Sequence, residues 1–375
     1  MEVKVSATEN KTSAEDRIAQ IYSEKCKKIT NFNSKMYYVS FVFLNILMLI
    51  LSLIYLNNKD KIESVKKVWE HVNVKSIILI IGIFVCIMLL KTLPNFLKLY
   101  SRTKKRKFGL MYRAVAAGEF YSIMTAYSSG EKPMFCKYLS RFGVSEKHSV
   151  DMGYSKRIFS RIANLLYCTI MLVLGFVFWM RKDISIWLCI LVCIPLVYNA
   201  IIVTTVICFN NNKKATINFI ASICKFLYSW NIIKDYEKLY NKIIDNLLIY
   251  NKEFRQNKIL IFIEISAYIL AYFLKGVLLY YALVSLNIAN IRILSDVLFR
   301  YVILDLIISM WPLQKGSLIF EFLFITLYSK IFFTGYVFWG MIILRVFEYF
   351  IYILQYLIVM VYDKLCYKLV KKSAK

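Results

Sequence analysis

Glycine and proline are scarce in this chain, at 11 and 4 of 375 residues. That argues against a loop-rich all-β fold, which needs both at its turns. Histidine is almost missing: His71 and His148 are the whole supply. A zinc centre therefore has no ligand set to draw on, and neither a metal nor a cofactor is expected. The nine cysteines (Cys26, Cys86, Cys136, Cys168, Cys189, Cys193, Cys208, Cys224 and Cys366) form no C-x-x-C. Most lie inside apolar runs and read as small packing residues. Charged residues reach only 19%, while 59% are apolar and the mean hydropathy is +0.56. A soluble domain carries about 25% charged and 45–50% apolar residues. A soluble enzyme and a disordered chain are both excluded, leaving an integral membrane protein. Lipid cannot satisfy open backbone amides, so the spans must be helical.

Acidic residues are few as well, 23 against 49 basic, for a net charge of +26. On a soluble protein this would suggest nucleic acid. Here the basic residues flank apolar runs, as in the positive-inside pattern, and nucleic acid is not expected as a partner. Juxtamembrane lysines also attract anionic lipid headgroups. The signatures G-x-S-x-G, P-loop and H-E-x-x-H are all missing, so enzyme chemistry is thin.

A span needs about 20 apolar residues. Segment 36–56 qualifies, followed by a polar loop over 57–75. Segment 76–97 is a second span, kinked or ended near Pro94. Segments 159–179, 184–209, 259–285 and 338–362 follow. The cluster Lys98, Arg102, Lys104, Lys105, Arg106 and Lys107 contains no acid and is expected to be cytoplasmic. Three regions lie around these spans: a cytoplasmic N-terminal segment (1–35), a membrane domain (36–363) and a basic cytoplasmic tail (364–375). Segment 1–35 lacks the short apolar stretch of a signal peptide. Residues 210–257 mix lysines with regularly spaced Ile, Leu and Tyr. They read as a cytoplasmic amphipathic insert of two helices against the membrane surface.

Two stretches are harder to place as single spans. Residues 110–135 carry Arg113 and Glu119 and break at Ser128-Ser129-Gly130. Residues 294–337 carry Asp296, Arg300 and Asp305, break between Pro312 and Gly316, then carry Glu321 and Lys330. Each reads as two short helices around a polar turn. Broken helices at membrane depth survive only in protein or beside water, and paired ones point to a transport site. Their helix N-termini favour anions. The expected fold is all-α and polytopic, with about six to eight membrane helices and two re-entrant or broken-helix hairpins.

Gly118, Phe120, Thr125, Gly130 and Pro133 fit the pattern G-x-Y/F-x-x-x-x-T-P-x-x-x-G-G-Q-P, with Ala126, Glu131 and Lys132 departing from it. Pro312, Gly316 and Glu321 fit P-x-P-G-G-x-G-x-x-E, with Gln314, Lys315 and Leu318 departing. Arg345 and Tyr349 fit W-R-x-x-x-Y-Y. In this order and spacing the chain resembles the lysylphosphatidylglycerol synthase transmembrane family, or flippase-like domain. The bifunctional members of that family add a soluble domain that transfers lysine from lysyl-tRNA to phosphatidylglycerol. This chain ends at Lys375, shortly past the last apolar run. The expectation is thus the lipid-moving part alone, in a bacterial plasma membrane.

The function this implies is binding and transbilayer movement of an anionic or aminoacylated phospholipid, or of a polyprenyl-phosphate-type lipid. The alternative is phosphatidylglycerol lysyltransferase, with lysyl-tRNA as its one nucleic-acid partner, or a membrane subunit of such an enzyme. Intramembrane ionisable residues are costly and mark pathways or partners. Arg113, Glu119, Glu321, Arg345 and Glu348 are accordingly the charged pathway candidates. Gly118, Thr125, Gly130, Pro133, Pro312, Gly316, Ser317 and Tyr349 join them as hairpin and lipid-binding candidates. Arg113 and Arg345 would offset phosphate charge; Glu119 and Glu321 would meet an amino group or relay protons. Arg345–Glu348 and Asp296–Arg300 have the spacing of same-helix ion pairs, so a purely structural role stands beside the functional one.

Overall fold

A computed structural model describes residues 74–373 apart from 105–106, 126–127, 179–185, 255–256, 286–290, 310–318 and 333. The expected first span at 36–56 lies outside the described residues, as does nearly all of the polar loop after it. Among the described residues the chain is all helix and turn.

The elements in order are α1 (Val74–Thr103), α2 (Phe108–Met124), α3 (Glu131–Arg141), α4 (Glu146–Phe178) and α5 (Ile186–Asn211). Then come α6 (Lys213–Ser229), α7 (Tyr236–Phe254) and α8 (Lys258–Ser285). A single 3-10 turn (Ile291–Ile293) leads into α9 (Leu294–Ser309), followed by α10 (Ile319–Tyr328) and α11 (Thr334–Arg345). A π-helical turn (Val346–Phe350) joins α11 to α12 (Ile351–Ser373).

Four of these helices, α1, α4, α5 and α8, are long and apolar enough to cross a membrane. The 30 residues of α1 extend about 45 Å at ~1.5 Å each, beyond the ~30 Å hydrocarbon layer. Of the two expectations at Pro94, a kink or an end, the end is ruled out: the helix runs through it. Asn95 helps there, its side-chain amide donating to the Lys91 carbonyl at 2.8 Å. Similarly, α4 begins at Glu146 rather than near 159. Its polar first half is buried, which lets Asp151, Ser155 and Lys156 face other helices instead of water.

The bundle is apolar on its outside. Helix α5 exposes Ile190, Ile194, Val197 and Ile201, and α8 exposes Ile259 and Phe262. Polar residues turn inward, the arrangement lipid demands and water does not. The axis of the fold is the antiparallel pair α1 and α8, fixed by Lys98 against Glu264 and Asn95 against Tyr268. Helix α4 packs alongside α8. Helix α9 comes close to α4 because residue 175 is glycine: a Cβ there would strike the Phe299 ring.

Two hairpins complete the core. Helices α2 and α3 lead out and back. Arg113 near the start of α2 and Tyr138 near the end of α3 both bind the Asp363 carboxylate of α12. Helices α9 and α10 do the same at the other end. Arg300 donates to the Leu327 carbonyl at 2.6 Å, and Tyr328 to the Val297 carbonyl at 3.0 Å. Residues 110–135 hold parts of two helices, α2 and α3, while 294–337 hold α9, α10 and the start of α11, with the expected break at Pro312–Gly316 outside the described residues.

The insert at 210–257 also forms two helices, α6 and α7. They pack on α4 and α5 through a separate apolar cluster that includes Phe159, Phe209, Cys224 and Leu247. Helix α12 runs on to Ser373, through most of the basic segment 364–375.

Candidate functional site

The first hairpin turn is built by its own sequence. Thr125 closes α2, its hydroxyl donating to the Tyr121 carbonyl at 2.6 Å and accepting the Gly130 N–H at 2.7 Å. A Cβ on Gly130 would lie 2.7 Å from Thr125 Cγ2, so only glycine fits this close approach. Pro133 occupies the first turn of α3, where its missing N–H has no intrahelical acceptor to lose. A Cβ on Gly118 would lie 3.4 Å from the Glu131 carbonyl oxygen, so α2 and α3 run close together there.

This turn brings Glu119, Ser122, Ser128 and Glu131 to a cavity of about 210 Å3 at the centre of the bundle. Helix α1 contributes Lys91, α4 contributes Lys156 and Ser160, and α8 contributes Tyr272 and Lys275. The far wall is the second hairpin, with Asp305 and Ser309 at the end of α9 and Phe320 at the start of α10. The ends of both hairpins thus border one cavity.

The charges there form a chain. Lys91 Nζ lies 2.7 Å from Glu119 Oε2, and Lys156 Nζ lies 3.4 Å from Glu119 Oε1 and 2.6 Å from Glu131 Oε1. Lys275 has no ion-pair partner within 4 Å among the described residues. Its ammonium sits 5.2 Å from the Tyr272 ring and shares the cavity with Asp305. Tyr272 in turn exchanges a 2.7 Å hydrogen bond with Ser160. Three lysines and three carboxylates therefore meet in a space framed by apolar helices.

From this cavity a polar stripe runs along α1. Lys91, Asn95, Lys98 and Arg102 recur every three or four residues and so share one face. Asn95 donates to the Tyr268 hydroxyl at 3.0 Å. Lys98 is enclosed between Glu264 and Ser155. Arg102 binds Glu253 through both carboxylate oxygens, at 2.9 and 2.8 Å, and Lys252 holds Asp151 at 2.6 Å. Two members of the basic cluster at 98–107, Lys98 and Arg102, are thus paired with acids from α8 and α7.

The sequence-derived candidates divide by place. Glu119 lines the cavity, and Gly118, Thr125, Gly130 and Pro133 build the turn beside it. Arg113 does not line it; its guanidinium pairs with Asp363 and lies 5.3 Å from the Phe142 ring. Arg345 reaches across to Glu321 at 2.6 Å rather than forming only a same-helix pair. Its guanidinium covers the Phe320 ring at 3.7 Å and lies 4.8 Å from buried Tyr349. This pair therefore stands behind the cavity wall. Asp296 and Arg300 form the expected i,i+4 pair at 3.2 Å. Pro312, Gly316, Ser317 and the Glu348 side chain lie outside the described residues.

Sequence reasoning passed over Lys91, Lys156, Lys275 and Glu264 as candidates. The signal was present: Lys91, Glu264 and Lys275 are single ionisable residues inside apolar runs, and such residues face a partner or a cavity.

No family model, curated protein or solved structure matches the chain.

Proposed function

We propose that this chain binds the polar headgroup of a membrane lipid in the central cavity and moves it between leaflets. The lipid would be anionic or aminoacylated, a phospholipid or a polyprenyl-phosphate type, as for a stand-alone flippase-like domain. The observation that carries this reading is the cavity itself: Lys91, Lys156 and Lys275 face Glu119, Glu131 and Asp305 inside an apolar frame. A structural ion pair needs two groups, but this set leaves Lys275 beside open space. A headgroup phosphate would find ammonium donors there, and a headgroup amine would find carboxylates. The N-termini of α3 and α10, at Glu131 and Phe320, end at the same place and add positive dipole ends.

In this reading both hairpins are re-entrant, one from each side, and their tips close the route between leaflets. The protein is multi-pass in a bacterial plasma membrane, with the Arg102 and Asp363 end on the cytoplasmic side. The test is movement of fluorescent phosphatidylglycerol across proteoliposome membranes. Wild-type protein should accelerate it, and Lys275→Gln should abolish the acceleration while remaining folded.

A further inference from the structure

A second cavity, of about 520 Å3, opens between α3 and α12. Its floor is apolar, with Met134 of α3 and Tyr356 and Met360 of α12. Its rim is basic, with Lys137 and Arg141 of α3 and Lys364 of α12. Lys137 and Arg141 are one helical turn apart and so project to one side. The acid at this rim, Asp363, is already bound by Arg113 and by the Tyr138 hydroxyl. The lining thus carries three basic side chains against this one carboxylate. No residue that lines this groove also lines the central cavity. This groove is therefore separate from the central site.

We propose that the groove holds an anionic glycerophospholipid, with one acyl chain along Met134, Tyr356 and Met360 and the phosphate at Lys137, Arg141 and Lys364. Two features select a lipid over a free anion. A soluble phosphate would leave the apolar floor bare. The neighbouring face of α12 is also apolar and exposed, through Leu357, Val361 and Leu365, so the groove opens onto a surface that hydrocarbon covers. The charge of the rim selects an anionic headgroup over a zwitterionic one, since basic side chains near a membrane surface each add to the attraction for anionic lipid. Nothing here depends on transport: a lipid seated in this groove is a bound partner, whatever the central cavity does.

The test uses the full-length protein in phosphatidylcholine nanodiscs containing a phosphatidylglycerol with a diazirine in one acyl chain. After illumination, labelled peptides are read by mass spectrometry. The label should fall on the α12 peptide around Met360. A phosphatidylcholine probe with the same chain should label it about tenfold less. The combined variant K137Q/R141Q/K364Q should lose labelling to the same extent, whereas K137R/K364R should keep it. Soluble glycerophosphoglycerol should not compete. If the combined variant melts early in detergent, K364Q alone decides, because Lys364 is exposed and its loss leaves the fold intact. K275Q should label like wild type even where it moves no lipid, which separates this site from the central one. Equal labelling by both probes, undiminished labelling in a folded K137Q/R141Q/K364Q or K364Q protein, or competition by the soluble headgroup would overturn the proposal.

Discussion

The ammonium of Lys91 on α1 lies 2.7 Å from the carboxylate of Glu119 on α2. That contact joins the polar stripe of a membrane-length helix to the first hairpin. It also divides the ionisable residues into two sets with different expected behaviour: those enclosed on every side and those that face the central cavity.

Lys98 and Glu264 belong to the enclosed set, at 1% and 0% side-chain exposure. Removing one partner strands the other without water. Glu264→Leu should therefore destabilise the protein by about 3–5 kcal/mol, measured by thermal unfolding in detergent. The double variant Glu264→Leu with Lys98→Met should regain most of that loss, because two apolar side chains leave no charge unpaired. A double variant no more stable than the single would show that the pair is not the source of the effect.

Gly130 tests the hairpin turn. Alanine there places Cβ 2.7 Å from Thr125 Cγ2, against the hydroxyl that caps the turn. The expected cost is about 1–3 kcal/mol from overpacking. Thr125→Ser should relieve part of it in the double variant by removing the methyl group. Unchanged melting of Gly130→Ala would mean that the turn has more room than its geometry allows.

Contacts that gather at one end show which helix ends share a side, and the proposed orientation puts that side in the cytoplasm. Arg102 meets Glu253, and Arg113 meets Asp363, so the end of α1, the start of α2 and the end of α12 share a side. The start of α9 lies at the opposite end, since α8 begins beside the end of α1 through Glu264 and Lys98 and ends at Ser285, shortly before α9 in the chain. In a cysteine-free background, an impermeant thiol reagent added outside cells should label Ile291→Cys and leave Thr103→Cys unlabelled. Outside labelling at position 103 would reverse the orientation.

Much of this fold was legible in the chain. Runs of about 20 apolar residues reveal α1, α5 and α8 without tertiary information. The first hairpin was legible from Ser128-Ser129-Gly130 and Pro133, because turn chemistry is local. The charged cavity was not. Glu264 and Lys98 are 166 residues apart, and nothing in either neighbourhood announces the other. Lys98 was misleading for the same reason. It opens a run of basic residues with no acid nearby in sequence, and its acid comes from another helix. Arg345 is a further case: Glu321 of α10, 24 residues away in sequence, lies 2.6 Å from its guanidinium.

Lys275 tests the central claim most directly, because it faces the cavity and has no ion-pair partner within 4 Å among the described residues. Lys275→Gln should melt within about 0.5–1 kcal/mol of wild type in detergent. In proteoliposomes, dithionite reduction of fluorescent phosphatidylglycerol should reach both leaflets with the wild-type protein and stop at the outer leaflet with the variant. Wild-type rates in a stable Lys275→Gln protein would contradict the assignment of this cavity as the lipid route.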